Sequence, residues 1–248
     1  MRHQGRHIVI TGASSGIGRA TAERIAAEGG SVTLMARRAD RLADLAATLG
    51  PQARWIAVDV ADPAASAAAL DRAAADGGPI DGLFLNAGIG GAFAPIEEYR
   101  PADLAQVLAV NLLAPFHAIA RVLPGMKQRG RGAILITGSL ASERGMANNA
   151  AYVASKHGVL GLARAVALEA APSGVRSNCI IPGFIDTEMF AALPSDALAH
   201  IAAQVPQQRT GRAGELARVA SFLLSDEASH VTGQSWAVDG GVLGTLRI

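Results

Sequence analysis

The chain has 248 residues, of which half are hydrophobic and 17% are charged, so it can fill a sizeable core and disorder is excluded as its dominant state. Lys and Arg together number 22, and Asp and Glu number 21. This even balance gives no electrostatic case for a nucleic-acid partner. The single cysteine, Cys179, can form no internal disulfide, and it excludes a zinc site built from several thiolates.

The N-terminal residues indicate neither export nor membrane insertion. They pass from basic side chains directly into a short apolar run and a turn, without the long apolar segment of a signal peptide. No uncharged apolar stretch approaching ~18 residues is expected, so the sequence predicts no membrane span. We therefore expect a cytoplasmic protein.

Short apolar runs alternate along the chain with Ala-rich stretches of high helix propensity. We interpret the apolar runs as buried parallel strands and the Ala-rich stretches as helices. This alternation predicts a three-layer α/β/α fold, in which a doubly wound parallel sheet carries helices on both faces. Trp55 and Trp236 lie in predicted strands and are expected to pack in the core. The predicted strands are 7–11, 32–36, 55–58, 82–85, 133–137, 175–181 and 235–238, and the predicted helices are 18–28, 41–49, 64–74, 101–123, 150–171 and 215–224.

The chain shows no sign of a second domain. No composition shift, linker or low-complexity block interrupts it, so one domain over residues 1–248 is predicted. Two segments, 89–100 and 184–212, are less regular than the rest. In an open α/β sheet, ligands bind beyond the carboxyl ends of the strands. We therefore expect these two segments to face the substrate.

A glycine-rich turn with the sequence TGASSGIG, residues 11–18, follows the first predicted strand and opens the first predicted helix. Glycine lets the backbone turn sharply and lie close to a pyrophosphate, and a helix N-terminus offers unpaired N–H groups to phosphates. Glycine-rich turns also join strands to helices for packing alone. The position directly after a strand is what favours a nucleotide site here.

Two arginines follow the second predicted strand, at the point where an acidic residue would bind the adenosine ribose and repel a 2′-phosphate. Arg37 and Arg38 suit bidentate phosphate pairing, so the sequence favours NADP(H), with NAD(H) as the alternative cofactor. The competing interpretation is a pair of solvated arginines before a helix. Asp59, after the third predicted strand, is a candidate partner of the adenine amino group or an ordinary turn residue.

A tyrosine and a lysine lie four residues apart in a predicted helix, so their side chains share one face. They are Tyr152 and Lys156. A lysine ammonium near a phenol stabilises the phenolate, which suits the tyrosine to general acid/base chemistry. Ser139 follows the fifth predicted strand, where its hydroxyl could bond a substrate oxygen. Taken alone, the Tyr-x-x-x-Lys spacing is typical of a half-buried tyrosine and a surface lysine.

Several motifs occur together in a fixed order. They are the TGxxxGxG turn, Asn86-Ala87-Gly88 after the fourth predicted strand, Asn111, Ser139, Tyr152-x-x-x-Lys156, Pro182-Gly183-x-x-x-Thr187 and Val238-Asp239-Gly240-Gly241. This set resembles the short-chain dehydrogenase/reductase family over residues 5–241. The resemblance implies a seven-stranded Rossmann sheet, a nicotinamide cofactor, and assembly as a homotetramer or homodimer.

The resemblance also implies a role for each motif residue. Tyr152 would exchange a proton with the substrate oxygen, Ser139 would polarise that oxygen, and Lys156 would bind the nicotinamide ribose. Asn111 would hold a water in a proton relay behind Lys156, and no metal is implied. The implied cofactor-binding residues are Gly12, Ser14, Ser15, Gly16, Ile17 and Gly18 at the phosphates and ribose, Asp59 and Val60 at the adenine, Asn86, Ala87 and Gly88 at the adenosine ribose, and Pro182, Gly183, Ile185 and Thr187 at the nicotinamide. Thr187 has a second interpretation as the cap of a following helix.

Within the family, the C-terminal third is most similar to the 3-oxoacyl-(acyl-carrier-protein) reductases. This similarity implies reduction of a small ketone, or of a 3-oxoacyl group carried by an acyl carrier protein or acyl-CoA thioester. Ser173 stands where carrier-binding members often have a basic residue, which weakens the carrier-protein interpretation. The alternatives are an NAD-linked secondary alcohol, diol or sugar dehydrogenase and, from another class, a catalytically silent nucleotide-binding protein.

Overall fold

The computed structural model describes residues 1–188 and 194–245. Its strands are β1 (His7–Thr11), β2 (Ser31–Ala36), β3 (Ala53–Ala57), β4 (Gly82–Leu85), β5 (Gly132–Thr137), β6 (Val175–Pro182), β7 (Ile185–Asp186), β8 (Gly211–Arg212) and β9 (Ser235–Val238). Seven of them form a parallel sheet in the order β3-β2-β1-β4-β5-β6-β9, and β7 pairs with β8 in a separate small sheet.

Helices cover both faces of the seven-stranded sheet. They are α1 (Gly16–Ala27), α2 (Ala39–Leu49), α3 (Pro63–Gly77), α4 (Pro101–Leu108), α5 (Ala114–Arg129), α6 (Ala150–Ala170), α7 (Ser195–Gln204) and α8 (Ala213–Leu224). Successive residues of a strand point to opposite faces. Accordingly Val9 packs in one hydrophobic cluster, while Ile8 and Ile10 pack in a second. The predicted doubly wound α/β sheet is therefore confirmed.

The helix predicted over 101–123 is longer and less regular than expected. A π-helical turn, Ala109–Leu113, joins α4 to α5, and α5 continues through Pro124 to Arg129. A proline inside a helix removes one intrahelical hydrogen bond. Ala120, whose carbonyl loses its partner, is exposed, so water can satisfy that group. The other predicted bounds differ from the observed ones by at most three residues.

This same continuous helix, Pro101–Arg129, is long and apolar enough to cross a membrane, judged by length and composition alone. It includes an uncharged run over residues 104–120, so the expectation that no such stretch exists was wrong. Ala118, Ile119 and Val122 are buried in the protein core, as is common for core helices of this composition.

Two other expectations need correction. Trp55 is 38% exposed, because β3 is an edge strand of the sheet and one of its faces is only partly covered. By contrast, Trp236 packs against the core as expected, half-buried and edge-on to Phe222. Residues 195–204 of the less regular segment 184–212 form α7, which the sequence did not predict, whereas residues 189–193 lie outside the described part of the chain.

A buried polar cluster fastens the N-terminal residues to α8. The Nε2 atom of His3 lies 3.0 Å from the hydroxyl of Ser221 and 3.7 Å from the carboxylate of Glu28. Burial lowers the pKa of His3 to about 4. His3 is therefore held uncharged in the folded protein at neutral pH.

Acidification should destabilise the fold through His3. An unfolded histidine gains its proton near pH ~6.5, so the contribution of His3 is fully present above that pH and is lost as the pH falls towards 4. Between about pH 7.5 and about pH 5, linkage predicts a loss of about 2 kcal/mol in the free energy of unfolding, measured by urea denaturation. His3→Gln should remove that share of the pH dependence, and an unchanged slope in this variant would contradict the assignment.

Candidate active site

The first two turns of α6 carry Tyr152 and Lys156 to the carboxyl end of the sheet. Lys156 is only 4% exposed, and its ammonium donates a 2.8 Å hydrogen bond to the carbonyl of Thr137, the last residue of β5. The same ammonium lies 5.6 Å from the centre of the Tyr152 ring, within the range of a cation–π interaction. Lys156 is therefore not the surface lysine that the spacing alone would indicate.

The π-helical turn between α4 and α5 carries Asn111, which is buried. Its amide makes two hydrogen bonds with the backbone of Ile89: the Ile89 N–H donates to Oδ1 at 2.9 Å, and Nδ2 donates to the Ile89 carbonyl at 2.9 Å. Such π turns are rare and frequently occur at functional sites. Here the turn allows Asn111 to fix the chain that follows β4.

A buried hydroxyl connects Asn111 to the tyrosine–lysine pair. Ser155 accepts a hydrogen bond from Asn111 Nδ2 at 3.1 Å and donates one to the carbonyl of Tyr152 at 2.7 Å. A Cβ atom added at Gly88 would lie 3.4 Å from Asn111 Oδ1 and 3.5 Å from Lys156 Nζ. The structure thus brings these residues into one connected group. Sequence reasoning missed Ser155, although its place directly before Lys156 was a usable signal.

Ser139 follows β5 and begins a single 3-10 turn, Leu140–Ser142. Its hydroxyl oxygen accepts a hydrogen bond from the N–H of Ala141 at 3.1 Å, while the buried Ser142 hydroxyl accepts from the Ser139 N–H at 3.1 Å. Within the described part of the chain, the Ser139 hydroxyl donates no hydrogen bond. Its proton is therefore available to a substrate oxygen, whereas Ser142 is occupied in shaping the turn.

The glycine-rich turn between β1 and α1 has no room for a side chain at Gly12 or Gly18. Gly12 and Gly16 have φ angles of +67° and +54°, and a Cβ atom added at Gly18 would lie 2.4 Å from the Gly12 carbonyl oxygen. Ser15 precedes α1 but makes no side-chain cap bond to the helix. The first N–H groups of α1 therefore remain able to bind phosphate oxygens.

Asn86 joins the carboxyl ends of three neighbouring strands. Its Nδ2 donates to the carbonyls of Thr11 and Gly12 at 3.3 and 3.4 Å, and its Oδ1 accepts from the Thr137 hydroxyl at 3.2 Å. The Thr11 hydroxyl in turn accepts from the N–H groups of Asn86 and Ala87 at 3.0 and 3.1 Å. Asn86 thus fixes the distance between the glycine-rich turn and the end of β5. Sequence reasoning did not single out Thr137.

Arg38, rather than Arg37, lies on the glycine-rich turn. Its guanidinium donates to the hydroxyl of Ser14 at 2.9 Å and to that of Ser15 at 2.7 Å. Arg37 is exposed and makes no hydrogen bond or ion pair with any residue that the structure describes. The two arginines therefore differ: one is built into the turn and the other is unengaged.

The remaining nitrogen of Arg38 pairs with Glu188, at 2.9 Å from its Oε2 atom. The other carboxylate oxygen pairs with Arg41 of α2. These hydrogen bonds, first that from Arg38 and then that from Arg41, hold the pKa of Glu188 below its ordinary value. Neither Glu188 nor Arg41 was singled out from the sequence, because nothing local relates residues about 150 positions apart.

Asp59, which the resemblance implies at the adenine, is exposed, and its Oδ1 accepts a 3.0 Å hydrogen bond from the N–H of Ala61, as a turn residue does. Val60 is buried and lines a small, largely apolar cleft. The other residues that line this cleft are Thr11, Ser66, Leu85, Ala87, Val110, Ala114, Pro115 and Ala118.

Pro182 ends β6, and the chain then passes very close to the end of β9. The N–H of Gly183 donates to the carbonyl of Val238 at 3.0 Å. A Cβ atom added at Gly183 would lie 2.5 Å from the Cα atom of Asp239, so this approach requires glycine. The Pro182-Gly183 motif therefore has a packing reason that is independent of any ligand.

Ile185 is the first residue of β7, and Thr187 directly follows that strand. The Ile185 side chain is buried in the core, so only its backbone could contact a cofactor. Thr187 lies against the glycine-rich turn: a Cβ atom added at Gly16 would be 3.2 Å from its methyl group. Residues 187–188 are not helical, so the interpretation of Thr187 as the cap of an immediately following helix was wrong.

Exposed apolar side chains lie in one of the two segments expected to face the substrate and in the stretch between Ser139 and Tyr152. Phe93 and Ile96 lie in segment 89–100, and Met146 lies between Ser139 and Tyr152. The N–H of Ala94 donates to the carbonyl of Asn148 at 2.8 Å, which joins these two stretches. Over residues 1–188 and 194–245, no group of three His, Cys, Asp or Glu side chains is placed to hold a metal ion.

Comparison with known proteins agrees with this arrangement. A family model described as enoyl-(acyl carrier protein) reductase matches residues 12–243. The cis-4-hydroxycyclohexanecarboxylate dehydrogenase of Sinomonas cyclohexanicum is 41% identical over 238 residues, covering 95% of this chain and 96% of that protein. The 3-oxoacyl-(acyl-carrier-protein) reductase of Escherichia coli (strain K12) is 35% identical over 242 residues, covering 98% of this chain and 99% of that protein.

A solved structure shows the same fold. The crystal structure of levodione reductase superposes with a TM-score of 0.95 at 35% sequence identity, covering 99% of this chain and 100% of that chain. The fold, the order of the motifs and the named relatives therefore all indicate the same family along nearly the whole sequence. The chain belongs to the short-chain dehydrogenase/reductase family and, like the dehydrogenases and reductases named above, is an oxidoreductase of CH–OH groups that uses a nicotinamide cofactor.

Proposed function

We propose that the chain transfers a hydride between NADP(H) and a carbonyl or secondary alcohol, in ketone or 3-oxoacyl reduction. Ser139, Tyr152, Lys156 and Asn111 would carry the reaction. The observation that carries this proposal is the buried ammonium of Lys156, held against the Tyr152 ring at 5.6 Å. A buried charge is costly unless a partner stabilises it or the function of the protein requires it. The burial of this ammonium therefore favours a catalytic protein over a catalytically silent nucleotide-binding protein.

The residues at the glycine-rich turn fit a dinucleotide. The turn excludes side chains at Gly12 and Gly18, and α1 begins without a side-chain cap. Arg37 and Arg38 add positive charge beside it, which supports NADP(H) as the preferred cofactor. When bound, the nicotinamide supplies or accepts the hydride, and the protein supplies binding and orientation.

The protein's own part in the reaction is proton transfer. In reduction, the Tyr152 hydroxyl gives its proton to the substrate oxygen, and in oxidation the phenolate takes it back. The Lys156 ammonium stabilises that phenolate. Ser139 donates its unused hydroxyl proton to the substrate oxygen and so holds it in place.

Asn111 and Ser155 hold this group in position. Asn111 fixes the backbone of Ile89, and Ser155 connects Asn111 to the carbonyl of Tyr152. Because Asn111 carries no charge, its part is to orient its neighbours rather than to exchange protons. A water relay behind Lys156 stays a prediction, as does a cytoplasmic location.

A second candidate function is the oxidation of an alicyclic secondary alcohol. The relative named for a hydroxycyclohexanecarboxylate is 41% identical, against 35% for the 3-oxoacyl reductase. Ser173 lacks the positive charge that would help to hold an acidic carrier protein. The apolar side chains of Phe93, Ile96 and Met146 suit a compact apolar ring.

Assembly from identical chains is also part of the proposal. Large apolar side chains are exposed on the neighbouring helices α4, α5 and α6, and Leu168 is 80% exposed. Exposed apolar patches of this kind mark protein interfaces. The side chains concerned are Leu104, Leu113, Phe116 and Leu168. They support a homodimer or homotetramer.

Tyr152→Phe should abolish turnover, because it removes the only proton that this position can give while keeping the ring beside Lys156. Loss of a general acid lowers the rate by about 10²–10⁴-fold. The rate is followed by nicotinamide absorbance, and the affinity for NADPH, measured by calorimetry, should stay unchanged. A variant with full activity would refute the proposed role of Tyr152.

Arg37→Ala should weaken NADPH binding about tenfold or more and leave NADH binding nearly unchanged, because only NADPH carries the 2′-phosphate. Arg37 has no partner among the described residues, so its loss should disturb no other contact. Arg72→Ala, at an exposed arginine of α3, is the matched control. Equal weakening of both cofactors by Arg37→Ala would argue against phosphate recognition.

Phe116→Glu should reduce the assembly to smaller species, because it places a charge among the apolar side chains proposed to form the interface. Sedimentation velocity should show the unmodified protein as a dimer or tetramer and the variant as a lighter species. Trp55→Glu changes an exposed aromatic residue elsewhere, on the edge strand β3, and should leave the assembly intact. An unmodified protein that sediments as a monomer would exclude this interface.

A further inference from the structure

A carboxylate already occupies the arginines beside the glycine-rich turn. Each oxygen of Glu188 pairs with a different guanidinium, one from Arg38 and the other from Arg41. All three guanidinium nitrogens of Arg38 are engaged, because Nε and one terminal nitrogen bond the hydroxyls of Ser14 and Ser15. Glu188 is thus held as a bridging anion between two cations.

We propose that Glu188 competes with the 2′-phosphate of NADP(H) for Arg38 and Arg41, and so limits the preference of this protein for NADP(H) over NAD(H). The inference rests on the proposed function, since it concerns the cofactor of that same site. Carboxylates and phosphates are bound by the same planar guanidinium donors. A phosphate can therefore gain these donors only where the carboxylate gives them up.

Charge makes joint occupancy unfavourable. The hydrogen bonds from the two arginines keep Glu188 ionised at neutral pH. A 2′-phosphate placed on the same guanidiniums would bring a second anion within a few ångströms of that carboxylate, and like charges repel at such distances. Glu188 therefore has to leave for the phosphate to bind both arginines.

The competition acts on only one of the two cofactors. NAD(H) has a hydroxyl in place of the 2′-phosphate, so it can bind while Glu188 stays on Arg38 and Arg41. The Glu188 side chain is 55% exposed, and exposed ion pairs are individually weak. We accordingly expect the two pairs together to lower NADP(H) affinity by about three- to tenfold.

Glu188 lies where the turn after β7 meets the glycine-rich turn and α2. It directly follows Thr187, whose methyl group lies against Gly16. The ion pairs of Glu188 also tie the turn after β7 to α2.

The test compares Glu188→Gln and Glu188→Ala with the unmodified protein by isothermal titration calorimetry. The probes are NADPH, NADH, adenosine 2′,5′-bisphosphate and AMP, since the last two lack the nicotinamide and report on the adenosine end alone. Asp71→Asn is the matched control, because Asp71 is an acid of similar exposure that pairs with Arg121 away from this site.

Both Glu188 variants should bind NADPH and the bisphosphate about three- to tenfold more tightly, with NADH and AMP unchanged. Asp71→Asn should change none of the four affinities. Unchanged or weaker bisphosphate binding in Glu188→Gln would overturn the inference. So would tighter bisphosphate binding in Glu188→Ala alone, because the gain would then come from the room left by the smaller side chain and not from the loss of its charge. Failure of the unmodified protein to bind either NADPH or NADH would instead refute the proposed function.

Discussion

The buried ammonium of Lys156 is the constraint on which the rest of the site depends. A charge removed from water must be compensated, and the carbonyl of Thr137 and the face of the Tyr152 ring do this, while the absence of a side chain at Gly88 leaves room for the ammonium. Each comes from a different part of the chain. The end of β5, the start of α6 and the chain after β4 must therefore meet at one point, which fixes where the reaction can occur.

The parallel sheet makes that meeting possible, because the carboxyl ends of its strands lie along one edge. Asn86 and Thr11 bind these ends to one another, and Asn111 secures the chain that follows β4. The glycine-rich turn lies in the same network, through the bond from Asn86 to the Gly12 carbonyl. The glycine-rich turn and the end of β5 beside Lys156 are thus held by one set of hydrogen bonds.

Most of the fold could be predicted from the sequence, because strands buried on both faces are short apolar runs, and β1, β2, β4 and β5 have this pattern. The π turn at Asn111 and the passage of α5 through Pro124 could not, since hydrogen bonding and solvent exposure in the folded state decide both. The candidate site residues came from motifs, whereas the pairing of Glu188 with Arg38 joins residues 150 positions apart and had no local signal. Trp55 was misplaced because alternating strands and helices do not reveal which strand lies at the edge.

The central claim is that this chain oxidises or reduces a carbon–oxygen bond with a nicotinamide cofactor, and one measurement tests it most directly. The purified protein is given NADPH with a panel of ketones, a 3-oxoacyl thioester and an alicyclic ketone among them, and NADP⁺ or NAD⁺ with the corresponding alcohols, while nicotinamide absorbance is followed. The account predicts turnover with at least one ketone–alcohol pair, faster with the phosphorylated cofactor. Binding of neither nucleotide, together with no change in absorbance for any pair, would contradict it.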